Sequence, residues 1–423
     1  MHTSILILGG GITGLSTAYH LEKAGCADYL LVEKQPVFGG LCASVEHDGF
    51  TLDYGGHLLH LHTPQGKALV RELLGDHLLR HKRQAWIFLE GHKIPFPFQA
   101  NLWALPEPLR EKCVQGLAEI APNPPAASDF ETWCLTHFGR GIYDVFMRPY
   151  NEKLWGRPLK NLTDEWCPSF VPVPTSAQLQ SGARAQARED FGYNAYFYYP
   201  ASGGCGALTE ALAAKVTRKR SASEVQQIDL TRKEVLVNGK IISYDTLVNT
   251  LPLPAFMRMV KGADNMQPLA QDLQAQPISV MHLAIARETE PFSWIYFSDK
   301  KLPFHRIGLQ SGFSPKNAPV GTSLFYLEFS GLVPPDRQTE QFVRPALEAT
   351  GLLTPSDKII FSHWQTLPYA YAVYDHVRTT NVSRLTRFLA QHHCFCAGRY
   401  GKWEYSFMEY NLAEGAQLAQ KLV

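Results

Sequence analysis

The chain has 423 residues, 45% hydrophobic and 19% charged, and its 40 Lys plus Arg nearly balance 39 Asp plus Glu, leaving a net charge of +1. That length allows two or three domains and a sizeable core. The balanced charge removes any general electrostatic reason for a nucleic-acid or membrane-surface partner, so an anion site must be local.

In chain order, Thr3 to Leu8 is an apolar run ending at Gly9, too short to span a bilayer or serve as a signal segment. The expectation is a cytoplasmic chain with no membrane span. Ile12 to Lys23 carries apolar residues at helical spacing, and Tyr29 to Val32 supplies a second strand. Together they predict a βαβ unit of a parallel sheet with helices on its faces. Helices are expected over 66–80 and 106–120, with a hairpin between them from Trp86–Leu89 and His92–Ile94. A proline-rich break over 122–128 precedes a helix over 129–148, and Pro168, Pro172 and Pro174 mark an extended loop. The glycines from Gly203 open a helix over 207–217, followed by strands at 223–228, 234–237 and 246–250. The alternating stretch 278–330 predicts a second, antiparallel sheet that includes Ser279–Arg287 and Ser323–Phe329. A helix near 339–350, a strand at 392–397 and a helix over 408–421 complete the chain. The eight cysteines include no CxxC pair and read as free thiols.

The strongest local signal is Gly9-x-Gly11-Ile12-Thr13-Gly14 between the first strand and the first helix. Glycines there let backbone approach a pyrophosphate, and the helix N-terminus supplies unpaired N–H donors. Glu33, followed by Lys34, stands 19 residues after Gly14 at the end of the second strand. An acid at that place accepts hydrogen bonds from a ribose hydroxyl and repels a 2′-phosphate. Just beyond it, Gly39-Gly40-Leu41 adds a glycine pair that a plain NAD fold does not require.

These motifs resemble the FAD-binding half of the amine oxidase, protoporphyrinogen oxidase and UDP-galactopyranose mutase superfamily. The run Ala397-Gly398-Arg399-Tyr400-Gly401 through Tyr405-Ser406-Phe407-Met408 resembles the strand, GR-G turn and helix with which that superfamily closes its flavin site. The resemblance implies FAD as cofactor, a backbone contact to the adenine near Val225, and a helix dipole from Met408 aimed at the flavin pyrimidine. It also implies an α/β fold: a Rossmann-like FAD-binding domain from residues 1–65, 200–250 and 371–423, helices over 66–199, and an antiparallel substrate sheet over 251–370.

Three stretches are similar to the mutase branch: Gly55-Gly56-His57-Leu58-Leu59-His60, Tyr150-Asn151-Glu152-Lys153-Leu154-Trp155-Gly156, and Pro200-Ala201-Ser202-Gly203-Gly204. That branch implies a small-molecule substrate, a UDP-sugar, attacked at its anomeric carbon by reduced flavin, with no net redox change. The alternative within the superfamily is hydride removal from a reduced substrate such as an amine or a porphyrinogen. Residues implied for chemistry are His57, His60, Arg306, Arg399 and Tyr405; for substrate contact, Tyr150, Asn151, Trp155, Tyr198, Arg306 and Tyr374. Two places depart from the mutase pattern: the loop Val171-Pro172-Val173-Pro174 lacks an arginine, and Phe407 stands where mutases carry a carboxylate. His57, His60 and His62 lie close in sequence, but no acid or thiol completes a metal set, and no metal is expected.

Overall fold

The computed structural model describes residues 1–121, 126–186 and 191–423; part of the proline-rich break, residues 122–125, lies outside them. The alternating and apolar runs of the sequence segregate into two seven-stranded sheets among the described residues.

The first sheet has the strand His2–Leu8 near its middle, parallel to Tyr29–Val32 on one side and to Lys240–Asn249 on the other. Lys219–Arg220 extends it beyond Tyr29–Val32, and Cys394–Cys396 lies parallel to the end of Lys240–Asn249. Val225–Asp229 and Glu234–Val237 form an antiparallel hairpin at its edge. Leu6, Ile7, Leu8 and Leu31 are fully buried, as expected of strands covered on both faces. The helix Ile12–Lys23 packs along the final helix, Met408–Leu422, at a close approach that only glycine permits: a Cβ on Gly415 would reach within 2.7 Å of the Ser16 side chain.

The second sheet runs in the order Ile359–Ala372, Ala275–Ile285, Ser323–Ser330, Arg306–Leu309, Trp294–Phe297, Ala85–Leu89, His92–Pro95. All of its neighbours are antiparallel except Trp294–Phe297 and Ala85–Leu89. The hairpin expected around Glu90-Gly91 is therefore the outer edge of the antiparallel sheet. Helices Glu107–Ala118, Phe130–Ile142 and Arg148–Trp155 bury Phe130, Trp133, Phe138, Ile142 and Trp155 in a core of their own beside it.

Three elements differ from the expected ones. The helix expected over 66–80 spans Pro64–Leu74, because Gly75 turns left-handed (φ 59°); Leu78–Lys82 then pairs as a strand with Tyr196–Pro200. The helix expected over 129–148 breaks at Gly139 (φ 72°), which lies against the Gly116 backbone where no side chain would fit. A short π turn, Tyr143–Met147, then leads into Arg148–Trp155. Within the expected loop, Cys167–Phe170 is a single helical turn. No helix among the described residues is long and apolar enough to cross a membrane.

Candidate active site

The glycine motif builds a trough of backbone. Gly9 takes a left-handed φ of 102°, and a Cβ on Gly14 would overlap the Gly9 carbonyl oxygen, so the turn and the helix close tightly on each other. A Cβ on Gly11, by contrast, would meet nothing within 4 Å. No side chain caps the helix that starts at Ile12, which leaves the N–H groups of Ile12 and Thr13 facing that open side. Gly39 donates to the Gly10 carbonyl oxygen (2.8 Å), and a Cβ on Gly40 would lie 3.2 Å from the Gly11 Cα, so the glycine pair forms the opposite wall. Leu41 follows in a short 3-10 turn.

Glu33 accepts the Gly10 N–H (2.7 Å) and the Gln35 N–H (2.8 Å), one on each carboxylate oxygen. Each oxygen keeps a second lone pair, which suits a ribose hydroxyl. Lys34 is exposed beside it. Ser223 donates to the Glu33 carbonyl oxygen (2.8 Å), which brings the segment leading to Val225 next to this acid.

The closing motif interlocks with the same helix. Gly398 (φ 75°) lies where a Cβ would overlap Thr13, whose hydroxyl donates to Asn411 (3.1 Å). Asn411 in turn accepts the Arg399 N–H (2.8 Å) and donates to the Ser406 hydroxyl (2.8 Å). No side chain caps the helix that begins at Met408. Glu409, one residue on, faces elsewhere: it accepts the N–H groups of His62 and Thr63, both at 2.8 Å. The Arg399 guanidinium donates to the Ala370 carbonyl oxygen (2.6 Å) and lies over the rings of Tyr405 (4.7 Å) and Tyr371 (5.4 Å), while its Nε is buried without a partner among the described residues.

Across from Arg399 stands a second guanidinium. Arg306 grips Glu328 in a fork, Nε to one oxygen at 2.7 Å and Nη2 to the other at 2.6 Å. Its Nη1, on the far side of that fork, has no partner among the described residues, and the side chain retains 21% of its exposure. Glu328 is 2% exposed and also meets His305 Nε2 (3.4 Å) and the Gly56 N–H (3.3 Å). Burial alone would raise its carboxyl, but the Arg306 charge and the His305 contact override it and hold Glu328 ionised well below the usual carboxylate range. Burial, reinforced by the charge of Arg399, lowers His57 to about 4, so its ring is neutral near pH 7. Burial likewise lowers His60 to about 4.

Half-buried tyrosines line the space between the two arginines. Tyr150 meets Tyr296 edge-on at 5.3 Å, and Tyr371 meets Tyr405 at 5.4 Å. Burial raises the hydroxyls of Tyr150, Tyr193, Tyr296 and Tyr371, and the Arg306 charge acts on all four. They remain protonated donors at neutral pH. Phe170, from the loop that lacks an arginine, packs on Tyr405 (4.0 Å) and Phe407 (4.7 Å), and Tyr193 completes the cluster against Phe407 (4.5 Å) and His60 (5.1 Å).

The structure thus brings together His57, His60, Tyr150, Arg306, Arg399, Tyr405 and Phe407. Trp155 packs behind them against Tyr371 (5.7 Å), its Nε1 buried without a partner among the described residues. Three other candidates are engaged in support. Asn151 donates to the Met147 carbonyl oxygen at the end of the preceding π turn (2.8 Å), the Tyr374 hydroxyl accepts the Tyr405 N–H (3.0 Å), and the Tyr198 backbone pairs with Leu59. Glu328 is the residue that sequence reading missed. The signal was present, a lone carboxylate inside the buried run Ser323–Phe329, since a charge there requires a partner.

The family model for flavin-containing amine oxidoreductases matches residues 12–422. The chain belongs to that family. A crystal structure of reduced UDP-galactopyranose mutase superposes with a TM-score of 0.93 at 27% identity, covering 99% of this chain and 93% of that one. A putative protoporphyrinogen oxidase from Exiguobacterium sp. 255-15 gives a TM-score of 0.76 at 16% identity, over 99% of this chain and 98% of that one. Coproporphyrinogen III oxidase of Bacillus subtilis (strain 168) is 29% identical over 133 residues, 30% of this chain; the match spans only 28% of that enzyme. As a flavin-containing amine oxidoreductase relative with this fold, the chain is a flavoprotein whose cofactor is FAD. The site suits the group: open space at Gly11 beside the uncapped helix start at Ile12 for the pyrophosphate, Glu33 for the ribose, and the Arg399 Nε, buried without a partner among the described residues, at the closing motif.

Proposed function

We propose that this flavoenzyme acts on a diphosphate-bearing substrate, a nucleotide-activated sugar, in a rearrangement without net redox change. The observation that carries this reading is the pair of guanidiniums, Arg306 and Arg399, both beside the Tyr371 ring and its tyrosine-lined space, with the buried carboxylate of Glu328 forked to Arg306. With His57 neutral, the local charge is positive. A protonated amine is repelled there, whereas a diphosphate finds the Nη1 donor of Arg306, two positive charges and tyrosine hydroxyls. The similarity to reduced UDP-galactopyranose mutase supports the same reading.

FAD, which Gly11, Glu33, Gly40 and Arg399 would hold, would supply in its reduced form an electron-rich nucleophilic centre. The chain's own residues do the rest. Glu328 locks Arg306 so that Nη1 meets a leaving diphosphate without reorganising, and the protonated Tyr150, Tyr296 and Tyr371 donate to its oxygens. The aromatic contact of Phe170 with Tyr405 shields the space from water on the loop side.

A second reading, hydride removal from an anionic reduced substrate such as a porphyrinogen, draws on Phe407, where a carboxylate would be needed for the mutase pattern. The deciding experiment is a visible absorption titration of the purified protein, oxidised and dithionite-reduced, with UDP and a UDP-hexose. The expected result is a perturbed flavin band and tighter binding of the sugar nucleotide to the reduced form. A flavin indifferent to both ligands, with steady aerobic turnover of a reduced substrate and peroxide release, would overturn the proposal and establish the hydride reading.

A further inference from the structure

Tyr150 and Arg306 come from different parts of the fold, a helix and a hairpin of the second sheet, and one buried side chain ties the helix to the backbone of that hairpin. Lys153, one turn after Tyr150 on the helix Arg148–Trp155, extends its ammonium to the carbonyl oxygens of Phe297 (3.1 Å), Asp299 (2.7 Å) and Phe304 (2.7 Å). An ammonium has three donors, and all three are used on backbone. The carbonyls bracket the turn between strands Trp294–Phe297 and Arg306–Leu309, one at its start, one inside it and one at its end.

The strands on either side of that turn carry the site itself. Phe297 donates to the His305 carbonyl oxygen (2.9 Å), Tyr296 sits opposite Arg306 in the strand register, and Tyr150 lies 5.3 Å from Tyr296 and 6.5 Å from His305, ring centre to ring centre. The acidic groups nearby belong to the same junction: the Asp299 charge favours the Lys153 ammonium while its carboxylate accepts the Lys301 N–H (2.8 Å), and Glu152 on the same helix pairs at the rim with Lys300 of the turn (3.7 Å). Burial, opposed by the Asp299 charge, lowers the Lys153 ammonium to about 8, and its three carbonyl partners make it a specific arrangement and not a solvated lysine on a helix.

We propose that Lys153 is a positioning residue: it clamps the turn after Phe297 to the helix and so fixes Arg306 and Tyr296 at their working distance from Tyr150. The proposal rests on the reading of Arg306 as a substrate contact, but the clamp can be tested without it. In the FAD-loaded full chain, Lys153→Met removes the donors and keeps the length of the stem. Hydrogen exchange in peptides covering residues 294–309 is expected to rise severalfold, with exchange in the flavin layer and the flavin spectrum unchanged. The UDP dissociation constant is expected to rise about tenfold with the same difference-spectrum shape, and in turnover KM is expected to rise with little change in kcat. Lys153→Arg, which keeps the charge and reaches part of the carbonyl set, is expected to recover part of both effects, and it serves as the test should the methionine variant not fold. Unchanged exchange over 294–309 in either folded variant would overturn the clamp. So would equal loosening throughout the protein, which marks a general fold defect. If UDP fails to perturb even the wild-type flavin, the diphosphate reading fails, and the exchange measurement still decides the role of Lys153.

Discussion

The flavin layer and the substrate wall meet at one site but are made by different means. In the proposed flavin layer the surface is backbone: Gly11, Gly39, Gly40 and the first turn of a helix, braced by the contact of Gly9 with Gly14, with one acid at Glu33. In the proposed substrate wall it is side chain: Arg306, held by Glu328 of the neighbouring strand, Tyr150 from a helix, and Arg399 and Tyr405 from a distant part of the sequence. A backbone surface tolerates no added atoms, whereas a side-chain surface depends on each partner being present. The two therefore fail in different ways.

The largest effect expected is in the wall. Glu328→Ala leaves Arg306 without its counter-charge and should cost about 3–5 kcal/mol of stability, read by denaturant unfolding. Equal stability of the variant would show that solvent at the 21%-exposed guanidinium compensates. In the flavin layer, two one-carbon additions three residues apart should separate folding from binding. Gly14→Ala forces a Cβ into the Gly9 carbonyl and should cost about 1–3 kcal/mol. Gly11→Ala puts its Cβ into open space, so the fold should keep its stability while flavin content on purification drops. A Gly11→Ala protein that retains full flavin would place the pyrophosphate elsewhere.

The smallest effect concerns pH, at a carboxyl that belongs to neither surface. Asp53 is buried beneath the glycine turn at 203–204, where it accepts from Ser44 (2.6 Å), Tyr199 (2.6 Å) and the Cys205 N–H (3.0 Å). Burial outweighs these donors and raises its pKa to about 6. A carboxyl raised in the folded state contributes stability that is present at low pH and lost as the pH climbs through about 6. The Asp53 contribution should therefore fall between about pH 4 and 6, opposite in sign to that of the neutral His57 and His60 over the same range, and the stability difference between wild type and Asp53→Asn in thermal melts should move in favour of the variant as the pH rises through that window.

The same contrast explains what was legible. The glycine turns, Glu33 and the strand–helix–strand around them occupy one short stretch, and the βαβ unit lies where its periodicity puts it. Arg306 and Arg399 could be picked out by resemblance, but their settings could not. That Arg306 is forked to Glu328 follows from strand register, Arg306 opposite Glu328, which nothing local in either strand specifies. Lys153 reads on its own as a lysine of an amphipathic helix. The helix expected over 66–80 failed for a local reason, since the apolar spacing continues past Gly75 and conceals a strand that only pairing with Tyr196–Pro200 stabilises.

The interlock between Thr13 and Asn411 has a consequence for how the protein is made. Its two halves leave the ribosome nearly 400 residues apart in the sequence, which at about 5–20 residues per second is roughly 20–80 s of synthesis. During that time the first strand and helix wait with their long flank uncovered, until the last helix arrives and Gly415 seats against Ser16. The nascent chain can display its glycine turn early, but the helix behind that turn gains its packing partners only once residues 398–415 have been made.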